Sequence, residues 1–213
     1  MNITREQLKL YAVTDRSWLG NETLYEQVEK ALKGGVTLVQ LREKELDEET
    51  FEKEGRELLE LCHRYHVPLI INDNVALAKK INADGVHIGQ SDMEMQHARE
   101  LLGADKIIGV TAKTVEQAKA AQVAGADYLG SGAVFGTSTK ADAKPMELAL
   151  FQKICESVEI PVVAIGGISG DNVLQLKGRK MAGIAVVSGI FACEDIEKGT
   201  AELLEKVNSI IEQ

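Results

Sequence analysis

Amide and cationic side chains alternate with other residues in one short stretch of the sequence. Gln40, Arg42 and Lys44 alternate with Leu41 and Glu43 at the end of an apolar run. Alternate side chains of an extended strand point to the same side, so the amide and the two cations are expected to converge. This combination favours binding of an anionic substrate. The alternative is an ordinary solvated strand end, although burying Gln40 and Arg42 without partners would be costly.

Two aspartates follow two later apolar runs. Asp73 stands between Asn72 and Asn74, and Asp92 follows a glutamine and a serine. Mg²⁺ takes one or two carboxylates in many proteins and completes its oxygen ligands with water and substrate phosphates. The pair therefore indicates a magnesium site beside the cations near Arg42. Alternatively, both aspartates are helix N-caps, a position where aspartate is common.

Hydroxyl groups and a lysine follow a glycine in a third segment. Gly136 precedes Thr137, Ser138, Thr139 and Lys140, which together supply donors for phosphate oxygens. Turns rich in serine and threonine are common, so this motif is weak on its own. Its place after an apolar run favours phosphate binding.

Two further turns are suited to an anion. Gly166-Gly167-Ile168 and Val187-Ser188-Gly189 each end an apolar run. Glycine lets backbone N–H groups approach an anion closely. The sequence therefore predicts two anion sites, a diphosphate site with a metal and a monophosphate site.

Eight apolar runs alternate with amphipathic stretches along the chain, and they are the elements that must position these residues. Runs rich in Val, Ile and Leu are typical of parallel strands buried on both faces. Helical spacing is clearest over residues 48–65, 114–124 and 194–211. Eight strand–helix units predict an α/β fold, a (β/α)₈ barrel forming one domain over residues 1–213. An open doubly wound sheet is the alternative, although no GxGxxG follows the first run. The strand candidates begin at Leu8, Val36, Pro68, Gly85, Lys106, Asp127, Pro161 and Gly183.

Composition excludes several classes of function. The 24 Lys and Arg residues against 33 Asp and Glu residues give a net charge of −9, which argues against nucleic acid as the main partner. No apolar run reaches the roughly 18 residues that a membrane span needs, and the N-terminus lacks a signal-peptide core. Three cysteines without a CxxC motif favour a reduced, cytoplasmic chain. The sequence leaves the oligomeric state open, with a homodimer among the alternatives.

Histidine and cysteine residues give weaker signals. His63 and His66 are expected as a surface pair on an outer helix, and His87 as a packed, hydrogen-bonded side chain within a strand. No activating histidine is near Cys155 or Cys193 in sequence, so the cysteines are expected to be packing residues.

Taken together, the motifs resemble the thiamin phosphate synthase family. The strings VQLREK, IINDN, GVHIGQSD, ADYLGSGAVFGTSTK, IPVVAIGGI and AVVSGIF keep the family's order over residues 10–191. The resemblance implies a (β/α)₈ barrel that joins hydroxymethylpyrimidine diphosphate to hydroxyethylthiazole phosphate with Mg²⁺ and releases diphosphate. A sister family of thiazole tautomerases shares the barrel, but the cations and aspartates retained here favour the synthase.

The resemblance also implies roles for individual residues. Asp73 and Asp92 would bind Mg²⁺, and Arg42, Lys44 and Lys140 would be the cations that act in catalysis, Lys140 on the diphosphate. The expected contacts of the pyrimidine diphosphate are Gln40, Leu41, Arg42, Glu43, Lys44, Asn72 and Thr111. The expected contacts of the thiazole phosphate are Thr137, Ser138, Thr139, Gly167, Val187 and Ser188.

Two segments depart from the family pattern. Thr111 and Lys113 stand where the family usually has a serine and a histidine, and Ala133 and Gly136 stand where it usually has prolines. Two other readings stay open. One is a sugar-phosphate isomerase or epimerase that would share the phosphate-binding turns, with Asp15 and Asp73 as its proton-transfer pair. The other is a binding protein without turnover, which the departures at Lys113 and Gly136 would support.

Overall fold

A computed structural model describes residues 2–89, 92–136 and 145–211, and for residues 92–94 the description covers the backbone alone. Eight parallel strands pair in sequence order and close on each other into a barrel. The first and last strands complete the ring, with Tyr11 opposite Ala185. This closure confirms the predicted barrel and excludes the open sheet. The strands are β1 (Leu10–Val13), β2 (Leu38–Leu41), β3 (Leu69–Asn72), β4 (Gly85–Ile88), β5 (Ile107–Thr111), β6 (Tyr128–Gly132), β7 (Val162–Ile165) and β8 (Gly183–Val186).

Helices connect most of these strands and begin at residues suited to helix starts. The first helix has a capping box, in which Thr23 and Glu26 each accept a hydrogen bond from the other's backbone N–H. Asp47 caps the second helix in a similar way, accepting from the backbone N–H of Thr50 over 2.9 Å. The α-helices are α1 (Leu24–Lys33), α2 (Glu48–Arg64), α3 (Val75–Ile81), α4 (Asp92–Leu102), α5 (Val115–Val123), α6 (Leu148–Ser157), α7 (Ser188–Phe191) and α8 (Ile196–Ile210).

The connection between β7 and β8 differs from the expected regular repeat. It contains the 3₁₀ helix Val173–Leu176 instead of an α-helix. Gly170 and Gly178 bound this segment, and Gly178 has a positive φ of 77°, which ends a helix readily. The segment between these two glycines forms a single 3₁₀ turn. Within the described residues, no helix combines the length and apolar character needed to cross a membrane.

Buried side chains form two layers, one outside the barrel of strands and one inside it. The larger layer lies between strands and helices and includes Leu41, Phe51 and Phe151. The smaller layer fills the barrel interior and includes Tyr11, Ile70 and Tyr128. The inner layer matters for the site because its upper members form the floor of the barrel mouth.

Candidate active site

Two adjoining pockets open at the carboxyl ends of the strands. The inner pocket lies inside the barrel mouth, with Tyr11 and Gln40 among its lining residues. The outer pocket lies over β2 to β5 and is lined by residues that include Lys44 and Asp73. The two pockets share the side chains that separate them, namely Arg42, Asn72, His87 and Thr111.

The predicted cluster on β2 is divided between these pockets. Gln40 is only 4% exposed and lines the inner pocket, whereas Lys44 lines the outer one. Arg42 lines both, and its backbone N–H donates to the Thr14 hydroxyl over 2.9 Å. Because Gln40 is buried and Arg42 sits between two pockets, this segment is not an ordinary solvated strand end.

Leu41 and Glu43 alternate with that cluster and behave differently from each other. Leu41 is fully buried in the layer between strands and helices, so its side chain does not reach the pockets. Glu43 lines the outer pocket because β2 has ended by that point and strict alternation stops. One Glu43 oxygen accepts from Arg16 over 2.9 Å, and the other has no partner among the described residues. Burial raises the pKa of Glu43, and the Arg16 partner opposes that rise.

Asp73 faces the outer pocket from the turn after β3. Its Oδ2 accepts from the Asn72 side-chain amide over 2.7 Å. The backbone has a left-handed φ of 58°, which orients the carboxylate at the strand end. Asn74, not Asp73, is the N-cap of α3 and accepts from the Leu77 N–H over 2.9 Å. The N-cap alternative is therefore wrong for Asp73.

The second predicted metal ligand is less fully described. Asp92 is the first residue of α4, and its side chain lies outside the description. Among the described residues, no group of three or more His, Cys, Asp and Glu side chains is arranged to hold a metal. The predicted Mg²⁺ site thus remains a prediction.

Glycines and Ser188 line the far wall of the inner pocket. Gly167, Val187 and Ser188 lie together there, as the phosphate-site prediction requires. Gly167 has a φ of 66°, and a Cβ on it would lie 2.3 Å from the Gly136 carbonyl oxygen. Any side chain at position 167 would therefore collide with the backbone carbonyl of Gly136. The other predicted phosphate residues, Thr137, Ser138, Thr139 and Lys140, fall outside the described residues.

The floor of the inner pocket holds residues that the motif search did not select. His87 is hydrogen-bonded, as expected, but it also lines both pockets. Its Nδ1 lies 3.0 Å from the Tyr128 hydroxyl and its Nε2 3.0 Å from the Thr111 hydroxyl. Tyr11 is also a lining residue. Alternate side chains of a strand point to the same side, so the alternation along β1, β4 and β6 could have predicted that these side chains point into the barrel.

Comparison with known proteins decides the family. The family model described as thiamine monophosphate synthase matches residues 10–190. The chain belongs to this family. A curated thiamine-phosphate synthase from Clostridium acetobutylicum is 51% identical over 89% of this chain and 90% of its own length. Another from Fusobacterium nucleatum is 46% identical over 94% of this chain and 97% of its own length.

A solved structure supports the same assignment. The thiamine phosphate pyrophosphorylase from Pyrococcus furiosus is 39% identical and superimposes with a TM-score of 0.89, covering 98% of this chain and 99% of that one. The family that the sequence motifs predicted is thus confirmed, together with its barrel.

Lys113 is the departure from the family pattern that the structure describes most fully. It is exposed and lines the inner pocket. Its backbone N–H donates to the Gln117 side chain over 2.7 Å, which fixes the start of α5. A cation therefore stands at the mouth of this synthase-family barrel.

Asp15 does not take the place that an isomerase would need. Its carboxylate accepts from the Ser17 N–H over 2.9 Å and so caps the 3₁₀ helix Arg16–Trp18. Its other oxygen lies 3.6 Å from the Arg42 guanidinium. Asp15 is absent from the described lining of both pockets, whereas Asp73 lines the outer one. The two carboxylates therefore do not face one shared carbon position.

Proposed function

We propose that this chain condenses hydroxymethylpyrimidine diphosphate with hydroxyethylthiazole phosphate to give thiamin phosphate and diphosphate. Membership of the family makes the chain a transferase of thiamine biosynthesis. The observation that carries the assignment of substrates is the paired pocket. A largely apolar inner chamber with an amide on its floor adjoins an outer chamber with cations and a carboxylate.

The outer pocket suits the diphosphate. Arg42 and Lys44 line it, and Asn72 and Thr111 add neutral hydrogen-bonding groups. Lys140, which lies outside the described residues, would add a third cation. Negative charge grows on the diphosphate as its bond to the pyrimidine methylene carbon breaks. Cations held in place before reaction stabilise that developing charge without reorganising.

The inner pocket suits the two rings and the second phosphate. Val13, Val163 and Ile165 form apolar walls on which flat rings can pack. Gly167, Val187 and Ser188 would bind the thiazole phosphate together with Thr137, Ser138 and Thr139. Binding both rings in one chamber places the thiazole nitrogen near the reacting carbon, and such positioning lowers the barrier of a two-substrate reaction.

The residues present fit an Mg²⁺ ion. The Asp73 carboxylate faces the outer pocket, and one or two carboxylates with phosphate oxygens are the usual donors for this ion. Asp73 and Asp92 would hold it. When bound, the ion would supply further positive charge against the leaving diphosphate.

The reaction needs no general base from the protein. The amino group of the pyrimidine can stabilise the benzylic-type cation left when diphosphate departs, and the thiazole ring nitrogen then attacks that carbon with its lone pair. No proton has to leave the nitrogen. The side chains described would therefore act by positioning the two substrates and by stabilising the negative charge on the leaving diphosphate.

Small-molecule substrates are accordingly the proposed partners, and we place the chain in the cytoplasm. Three free cysteines, Cys62, Cys155 and Cys193, support a reducing compartment. A homodimer stays a prediction, which light scattering of the purified protein would check.

A turnover assay with both precursors separates this proposal from its rivals. The synthase forms thiamin phosphate only when both precursors and Mg²⁺ are present. An isomerase would instead interconvert sugar phosphates supplied alone. A binding protein would bind both precursors, as measured by calorimetry, and form no product.

A further inference from the structure

A continuous row of hydrogen bonds crosses the barrel beneath the inner pocket. The Gln40 side-chain amide donates to the Tyr11 hydroxyl, and the hydroxyls of Tyr11 and Tyr128 lie 2.8 Å apart. The Tyr128 hydroxyl then meets His87 Nδ1, and His87 Nε2 meets the Thr111 hydroxyl, each over 3.0 Å. The two tyrosine rings contact edge to face, with centroids 5.9 Å apart.

One set of directions gives every group in the row a partner. The Gln40 N–H donates to Tyr11, the Tyr11 O–H then donates to Tyr128, and the Tyr128 O–H donates to His87 Nδ1. In this arrangement Nδ1 accepts, and the His87 proton lies on Nε2 and is donated to Thr111. Burial raises the pKa of both tyrosines far above neutrality, which keeps both hydroxyls protonated as donors.

Two glycines in neighbouring strands leave room for the rings of Tyr128 and His87. A Cβ on Gly109 would lie 2.1 Å from the Tyr128 ring, and a Cβ on Gly130 would lie 3.1 Å from the His87 ring. Both tyrosines are essentially fully buried. A buried hydroxyl without a partner is destabilising, so the row is favourable only when all its bonds are made.

We propose that the Tyr11–Tyr128 pair is a positioning device that turns the Gln40 carbonyl oxygen toward the inner pocket and thereby selects a ring carrying an exocyclic amino group. The inference rests on the proposed function, which supplies an aminopyrimidine as the substrate class. With its N–H₂ group held by Tyr11, Gln40 offers the pocket an acceptor. An amino group can donate to that oxygen, whereas a ring carbonyl at the same position would repel it. Neither tyrosine hydroxyl needs to touch the reacting atoms.

Binding of two unreactive analogues tests this selection. Both carry a methylene group in place of the ester oxygen of the pyrimidine diphosphate, one with the amino group and one with a carbonyl at that ring position. We expect the wild-type protein to bind the amino analogue at least tenfold more tightly. In Tyr11→Phe and Tyr128→Phe the Gln40 amide is free to rotate, and the ratio of the two Kd values should fall below about threefold. Tyr25→Phe, which removes a hydroxyl bonded to Arg64 on the outer surface, should keep the wild-type ratio.

The ratio of the two Kd values distinguishes a loss of selection from general damage, because a loosened fold weakens the binding of both analogues alike. Unchanged ratios in Tyr11→Phe and Tyr128→Phe would overturn the positioning role alone. A wild-type protein that binds neither analogue would contradict the proposed function, and with it this inference.

A second measurement does not depend on the variants folding. Long-range ¹H–¹⁵N spectra of the wild-type protein, with His87 assigned through His87→Gln, report which ring nitrogen carries the proton. We expect the proton on Nε2. A ring protonated on Nδ1 would reverse the direction of the row and overturn the proposal.

Discussion

The guanidinium group of Arg42 lies 3.6 Å from the carboxylate of Asp15, across the carboxyl ends of β1 and β2. The side chains of both residues are 15% exposed, so water screens the pair only in part. Asp15 is therefore a counter-ion that holds Arg42 at the wall between the two pockets. An incoming diphosphate has to compete with this carboxylate for the same cation.

Removing the charge of Asp15 should improve binding of the diphosphate substrate. In Asp15→Asn the amide oxygen can still accept from Ser17 and cap the 3₁₀ helix. The KM for the pyrimidine diphosphate should fall about fivefold, from roughly 1 kcal/mol of partly screened Coulomb repulsion. Steady-state kinetics check this, with Asp105→Asn, in the exposed turn before β5, as the matched control. A higher KM in Asp15→Asn would mean that Asp15 orders Arg42 more than it repels the substrate.

Asp73→Asn should abolish most Mg²⁺-dependent turnover without affecting the fold. Asparagine tolerates the left-handed φ of 58° at this position, so the unfolding free energy should change by less than about 0.5 kcal/mol. Loss of a metal carboxylate should lower kcat by about 100-fold or more. The measurement is kcat against Mg²⁺ concentration, with Asp92→Asn in parallel. Full activity of Asp73→Asn in the presence of a chelator would exclude the metal assignment.

Lys140→Ala and Ser188→Ala should affect different kinetic constants. Lys140 is expected to meet charge that develops on the leaving diphosphate, so its loss should mainly lower kcat. Ser188 lines the inner pocket beside a phosphate that is unchanged by the reaction, so its loss should mainly raise the KM for the thiazole phosphate. Initial rates with each substrate varied in turn check this. The same pattern in both variants would contradict the assignment of two separate anion sites.

Lys113 should strengthen inhibition by the product diphosphate. It lines the inner pocket next to Thr111, which also lines the outer pocket that would hold the diphosphate. Coulomb attraction across this boundary contributes on the order of 1 kcal/mol. Lys113→His should raise the diphosphate inhibition constant about fivefold and make it less sensitive to salt. Lys119→His, on the exposed side of α5, is the control. Equal constants and equal salt slopes in wild type and Lys113→His would show that Lys113 does not act on the anion.

The two buried cysteines should resist alkylation in the folded protein. Burial raises the pKa of both Cys62 and Cys155 to about 12. Thiolate is the reactive form, so at pH 8 only about one thiol in 10⁴ is reactive at either site. Mass spectrometry after iodoacetamide treatment should show both residues unmodified until the protein is unfolded. Rapid modification of Cys62 in the native protein would contradict its packing in the core.

Local sequence predicts the fold well because each strand run carries its own signal. The strands β7 and β8 come from continuous apolar runs, and Thr23 and Asp47 are the kind of residue that begins helices. The connection after β7 was harder to predict. Its apolar residues Val173 and Leu176 are compatible with an α-helix, but Gly170 and Gly178 stand on either side of the segment, which forms a 3₁₀ turn.

The candidate site was predictable only in part. Gln40 and Arg42 carry a polar signal at a strand end, and the structure brings both to the inner pocket. Tyr11 and Tyr128 look like ordinary core aromatics in sequence, since nothing local shows that strands far apart in the chain bring their hydroxyls within 2.8 Å. In sequence, Asp73 is equally compatible with a helix N-cap and with a metal ligand. Only the structure shows that the N-cap of α3 is Asn74, one residue later.

The most direct test of the account is the stoichiometry of products formed by the wild-type protein. Purified protein, Mg²⁺ and both precursors should give thiamin phosphate and diphosphate in equal amounts, with neither product formed when the thiazole phosphate is omitted. Equal yields would establish that departure of diphosphate is coupled to formation of the new carbon–nitrogen bond. Diphosphate release without thiamin phosphate, or no turnover by protein that binds both precursors, would contradict it.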